Sequence, residues 1–171
     1  FHPINYGKMA LGLDTFLPAT PAGIIELIKR SKIQTEGKKC LVIGRSQIVG
    51  RPISILLSQS KVFGNSTVTV AHSKTINLKE LCIDSDLIIS AIGSPEFIKG
   101  NMIKKGSTII DVGITRVDDS SSNKGYRIVG DVDFNSVSDS VGYITPVPGG
   151  VGPMTIAMLL QNTLKACSLS D

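Results

Sequence analysis

Lys39-Cys40-Leu41-Val42-Ile43-Gly44-Arg45-Ser46-Gln47-Ile48-Val49-Gly50-Arg51-Pro52 is the stretch that decides the fold of this chain. Cys40 to Ile43 is a short, branched, apolar run closed by glycine, which reads as a buried strand. Gly44 permits a tight turn whose backbone can approach a ligand. Beyond Pro52, apolar Ile53, Leu56 and Leu57 alternate with Ser54, Ser58 and Gln59 at helical spacing. Strand, glycine turn and helix form the unit that leaves N–H groups unsatisfied at a helix start, where phosphate binds. The spacing departs from the usual dinucleotide fingerprint: Gly44-x-Ser46 stands for Gly-x-Gly, and Gly50 follows six residues after Gly44. Taken alone, the pattern suits a phosphate site and a plain structural turn equally.

Outward from this stretch the same grammar repeats. Thr67 to Ala71 is a second β-branched run, ending at His72-Ser73-Lys74-Thr75. Asp86 to Gly93 and Ser107 to Gly113 are a third and fourth strand, each closed by glycine. Helical segments are expected from Thr20-Pro21 to near Ser31, with Thr20 as cap and Pro21 first in the helix, and over Leu78 to Cys82 and Asp133 to Val137. A short helix or turn is expected at Met102-Ile103, a strand at Tyr126 to Val129, and a last short strand at Tyr143 to Thr145. Strands alternating with helices predict a mostly parallel α/β sheet. Phe1 to Pro18 shows no clean period and reads as connection with one short helical turn. The polar stretch Val117 to Gly125 reads as a hairpin tip. Pro146 to Pro153 is a rigid, glycine-rich loop, and Met154 to Ala166 a closing helix with Ile156, Leu159, Leu160 and Leu164 on one face.

The bulk composition narrows the function. A chain of 171 residues, 42% apolar and 19% charged, is that of one globular domain. Trp is absent and aromatics are few, so a base-stacking nucleic-acid surface is not expected. The net charge of +4 is scattered and suits mild attraction for an anionic ligand. Cys40, Cys82 and Cys167 form no C-x-x-C pair, which points to a reducing compartment and offers no metal site. No apolar run approaches the ~20 residues needed to span a bilayer. The chain starts at Phe1 rather than Met, so any targeting segment lies outside view; the cytoplasm is expected, with an organelle open.

In an open parallel sheet, ligands bind at the carboxyl ends of the strands. Here those ends are Gly44-Arg45-Ser46, His72-Ser73-Lys74, Ala91-Ile92-Gly93 and Asp111-Val112-Gly113-Ile114. The second strand lacks the Asp or Glu that reads the ribose in NAD sites. Arg45 in the adjoining turn could hold a 2′-phosphate bidentately, so NADP is the expected cofactor. Lys74 reads more simply as an exposed lysine, and His72 as an orienting or packing residue.

Gly44-Arg45-Ser46-x-Ile48-Val49-Gly50-x-Pro52, His72-Ser73-Lys74-Thr75, Asp111-Val112-Gly113-Ile114, Gly130-Asp131-Val132 and Thr145-Pro146-Val147-Pro148-Gly149-Gly150-Val151-Gly152-Pro153-Met154-Thr155 resemble the methylenetetrahydrofolate dehydrogenase/cyclohydrolase family. Phe1-His2-Pro3-x-Asn5 and Pro18-x-Thr20-Pro21-x-Gly23 fit it too. The resemblance implies a Rossmann-like α/β domain, with helices on both faces of the sheet, that binds NADP. It implies that Gly44, Arg45, Ser46, Ser73, Ile114 and Thr155 hold the cofactor. Pro148, Gly149, Gly150, Gly152 and Pro153 would face the cleft where nicotinamide meets the pterin. The family's catalytic lysine, glutamine and aspartate match no position here and are expected upstream of Phe1. The implied organisation is a linker at 1–20, the NADP-binding domain at 21–152 and a closing helix at 153–171. The implied reaction is oxidation of 5,10-methylenetetrahydrofolate to the methenyl form, then hydrolysis to 10-formyltetrahydrofolate, in a homodimer. An NAD-dependent dehydrogenase-only relative and a non-catalytic nucleotide-binding module are the alternatives.

Overall fold

The computed structural model describes residues 2–169. Five parallel strands form one sheet in the order β2-β1-β3-β4-β7. They are β1 (Lys39–Ile43), β2 (Thr67–Ala71), β3 (Leu87–Ser90), β4 (Thr108–Asp111) and β7 (Tyr143–Ile144). The helices are α1 (Pro3–Ala10), α2 (Ala19–Arg30), α3 (Gly50–Ser58), α4 (Leu78–Asp84), α5 (Phe134–Val137) and α6 (Val151–Ser168). A separate antiparallel hairpin joins β5 (Thr115–Asp118) to β6 (Tyr126–Val129); its tip is 119–125, and Val117 and Asp118, expected in the tip, belong to β5, a strand the sequence pattern did not show.

Alternation along the strands sorts the core into two layers. Cys40 and Val42 of β1 face Ile24 and Ile28 of α2, Ile53 and Leu57 of α3, and Val151 of α6. Leu41 and Ile43 face Cys82 of α4 and Val137 of α5. Helices therefore cover both faces, and the central strands β1, β3 and β4 are apolar on both sides. Burial pushes the Cys40 thiol up to about 12 and the Cys82 thiol up to about 11, so both act as small apolar fillers.

Most strand and helix ends shift by one to three residues from the sequence reading, and three helices differ more. The first segment holds an eight-residue helix, α1, not a single turn. Its start is capped by the His2 imidazole, which accepts from Ile4 N–H at 3.3 Å, and Pro3 opens the helix. Only Met9 of this helix is buried while Ile4 is exposed, so no apolar period marks it. In α2, Ala19 is the first residue and Thr20 makes no cap; the Thr155 hydroxyl bonds Thr20 Oγ1 at 3.1 Å instead. Helix α6 starts at Val151, three residues early, because a proline as its third residue forfeits no intrahelical bond. It ends at Ser168. Ile156, Leu159, Leu160 and Leu164 do share a face of α6, but each is more than half exposed. The helix instead lays Met154 closely against Gly23 of α2, where an added Cβ would meet Met154 at 3.1 Å.

Candidate functional site

The carboxyl ends of β2, β1, β3 and β4 lie side by side along one rim, as the parallel order requires. Ser73, just past β2, and Ile114, past β4, are three strand positions apart, about 14 Å. Gly44 closes β1 with φ +119°, a value only glycine adopts freely, and donates to the Ala71 carbonyl at 2.8 Å. An added Cβ there would collide with the Ala91 carbonyl at the end of β3.

The phosphate-ready donors are not where the fingerprint puts them. The Ser46 hydroxyl accepts from Val49 N–H at 3.1 Å and Gly50 N–H at 3.2 Å. The Ser46 carbonyl accepts from Arg51 N–H at 3.0 Å, and Pro52 has no N–H to offer. The first turn of α3 is therefore closed by its own chain. Among the described residues, the backbone N–H groups of Arg45, Gln47 and Ile48 have no partner, so the open donors belong to the turn. The Arg45 side chain is exposed and makes no ion pair among the described residues.

Residues 72–75 make a tied turn. Thr75 Oγ1 accepts from His72 N–H at 2.8 Å, and Thr75 N–H donates to the His72 carbonyl at 2.8 Å. His72 Nδ1 accepts from Lys74 N–H at 3.1 Å, so this imidazole orients the turn. Ser73 and Lys74 stand exposed at its apex.

At the other end of the rim, a cavity of about 440 Å³ is lined by the 111–114 segment, Ile128, the 146–153 loop, Thr20 and Thr155. It gathers Ile114, Pro148, Gly149, Gly150, Gly152, Pro153 and Thr155, and leaves Gly44, Arg45, Ser46 and Ser73 outside its walls. The glycines differ in kind. Gly149 has φ +104°, and a Cβ on Gly150 would press on the Pro146 carbonyl at 2.6 Å, so the loop itself requires both. Gly152 carries no such demand: a Cβ there would meet only Ile114 Cδ1, at 3.9 Å. Ile114 is 65% exposed, an apolar side chain held in the open at the mouth of the cavity. The Thr155 hydroxyl is engaged with Thr20 and with the Val151 carbonyl, 3.1 Å each, so it joins α2 to α6 behind the cavity.

Two buried carboxylates lie beneath this wall; the sequence reading put Asp111 at the rim and quoted Asp131 in a motif, but gave neither a role in the site. Asp111 Oδ1 accepts from Gly113 N–H at 2.9 Å and Asp131 N–H at 3.0 Å, and Oδ2 accepts from Val132 N–H at 2.9 Å. Asp131 Oδ2 accepts from Ile92 N–H at 2.8 Å and the Ser90 hydroxyl at 3.2 Å, and Oδ1 from Ser94 N–H at 3.0 Å. Burial pushes the Asp111 carboxyl up to about 6, against its three N–H donors; the Asp131 charge adds to the rise. The available signal was an acid ending the apolar run Thr108-Ile109-Ile110, where a solvent-facing loop residue is not needed.

A parallel sheet with free backbone donors at its central turn, an unpaired guanidinium beside them and a glycine-walled cavity farther along is the frame of a dinucleotide-binding α/β domain. Comparison with known proteins makes this specific. Residues 18–171 match the tetrahydrofolate dehydrogenase/cyclohydrolase, NAD(P)-binding domain family, and the chain belongs to it. It is 61% identical over 166 residues to the bifunctional protein FolD of Flavobacterium johnsoniae, covering 97% of this chain and 56% of that relative. The crystal structure of the bifunctional FolD dehydrogenase/cyclohydrolase from Campylobacter jejuni superposes with a TM-score of 0.90 at 48% identity, covering 99% of this chain and 57% of that one. The Trypanosoma brucei dehydrogenase-cyclohydrolase, solved with NADP cofactor and inhibitor, superposes at 0.91 with 40% identity, covering 99% and 57%. The chain thus spans a little over half the length of these relatives.

Proposed function

We propose that this chain is the NADP-binding part of a methylenetetrahydrofolate dehydrogenase/methenyltetrahydrofolate cyclohydrolase. The observation that carries the choice of NADP is the unpaired Arg45 guanidinium beside the donors of the 45–48 turn, with no acid closing β2. Arg45 and Ser73 would take the 2′-phosphate, Gly44 and Ser46 the pyrophosphate turn, and Ile114 the nicotinamide side. Thr155 would hold its place on the cofactor side of the cavity by bracing α6 against α2. The residues fit the cofactor: a turn rich in free N–H groups and one cation suits an anion, and a carboxylate would repel it.

Bound there, the dinucleotide supplies the hydride acceptor, and the chain supplies placement. Pro148, Gly149, Gly150, Gly152 and Pro153 would wall the cleft where a flat pterin meets the nicotinamide. Bare backbone at Gly152 leaves room for the reacting atoms to reach the near-attack separation of ~3–3.5 Å. The folate-side catalytic groups would lie outside these 171 residues. Residues 1–20 would link to them, 21–152 form the cofactor domain, and 153–171 return toward them with the exposed stripe of α6. A homodimer in the cytoplasm belongs to the same reading, with β2 as an edge strand whose Thr67, Thr69 and Val70 are exposed. Among the described residues, no helix is long and apolar enough to cross a membrane.

Titration of the chain with NADP and with NAD tests the reading. NADP should bind more tightly, and Arg45→Glu should abolish that preference. Equal loss for both cofactors would remove Arg45 from the 2′-phosphate role. The chain alone should show no cyclohydrolase turnover; substantial turnover would mean that the catalytic groups lie within it.

A further inference from the structure

The two carboxylates under the rim tie the segment after β6, which lies outside the five-stranded sheet, to the neighbouring ends of β3 and β4. Asp131 follows β6, and its side chain reaches across to the end of β3, where it holds Ser90, Ile92 and Ser94. Asp111 ends β4 and holds both its own following turn, through Gly113, and the 131–132 backbone. All four oxygens accept, and six donors are satisfied by two side chains. Gly113 and Gly130 pack so closely that a Cβ on either would overlap the Asp131 or Asp111 carboxylate.

A pair of buried charges is a costly way to close strand ends unless their placement serves something. The loop after β4 presents Val112, Gly113 and Ile114 to the cavity. The loop after β3 sets Ala91, whose carbonyl lies against Gly44. Resting on the cofactor reading above, we propose that Asp111 and Asp131 are positioning residues: together they lock the loops after β3 and β4 into one wall and set the nicotinamide half of the site. The adenosine half, at Arg45 and Ser73, lies on the other side of β1 and is touched by neither carboxylate.

Asparagine in place of Asp131 keeps the shape but turns an NH2 group toward N–H donors, which unlocks the β3 loop. Two probes separate the halves. NADP uses the whole rim, whereas 2′,5′-ADP carries the adenosine end only. In calorimetric titrations of the chain, Asp131→Asn should weaken NADP at least tenfold and change 2′,5′-ADP less than twofold. Ser90→Ala, which removes one donor and leaves both carboxylates, should weaken NADP by roughly threefold with 2′,5′-ADP unchanged, and it decides the matter should Asp131→Asn fail to fold. Equal weakening of both probes, or unchanged NADP binding in either folded variant, overturns the positioning role. Wild-type chain that binds neither probe would instead overturn the cofactor reading on which the role rests.

Discussion

Asp111 gives the chain a titration of unusual sign. Its carboxyl is buried and raised from an ordinary 3.8 to about 6, with burial as the main cause. Between those two pH values the folded chain holds a proton that the unfolded chain has released. Stability therefore falls as pH rises through this window, and is flat above it. At about 1.36 kcal/mol per pH unit, the shift is worth about 3 kcal/mol. Other acids run the opposite way: the Lys104 hydrogen bond lowers Asp86, and the Lys165 hydrogen bond lowers Asp14. These groups are common to wild type and Asp111→Asn, so they cancel in the difference between the two proteins. Urea unfolding, followed by far-ultraviolet circular dichroism because the chain has no Trp, should be run from pH 3.5 to 7.5. Wild-type stability minus that of Asp111→Asn should drop by about 2 kcal/mol between pH 4 and pH 6.5, then level. A difference that rises with pH would refute the reasoning, since it would mean that the three N–H donors outweigh burial. A flat difference would refute it too.

The glycines yield two further tests with opposite outcomes. Gly44→Ala forces a side chain into φ +119° and against the Ala91 carbonyl, so it should cost at least about 2 kcal/mol, or roughly 4–8 °C in thermal melting. An unchanged melting temperature would contradict the turn geometry. Gly152→Ala meets only Ile114 at 3.9 Å and sits in the first turn of α6, so the melting temperature should hold or rise by a few degrees. Pterin-side affinity in a protein that carries the folate groups should fall nonetheless; unaltered affinity would show that this glycine does not face the substrate.

Much of the fold was legible because the strands announce themselves locally. Thr67 to Ala71 has its observed limits in the sequence, and each central strand ends in a glycine or a polar turn. Helix α1 was not legible, because its outward Ile4 and the neighbouring Leu11 break the polar face that periodicity relies on. The stripe on α6 was read correctly as one face, yet its exposure could not be: apolar spacing says which side will be covered, not by what. The cap at Thr20 failed because the hydroxyl found a partner 135 residues away. An acid ending the apolar run before Asp111 hints at a buried carboxylate, but its pairing with Asp131 has no local signature, since the two acids, twenty residues apart, meet only once β4 and the loop after β6 are in place.

Ser46 has a kinetic consequence. With its hydroxyl and carbonyl already holding Val49, Gly50 and Arg51, the central turn has its shape before any anion arrives. Capture at that point involves no winding of a helix end and no ordering of a floppy loop. The rate of capture should therefore follow encounter and charge, slowing with added salt, rather than a slow rearrangement of the protein.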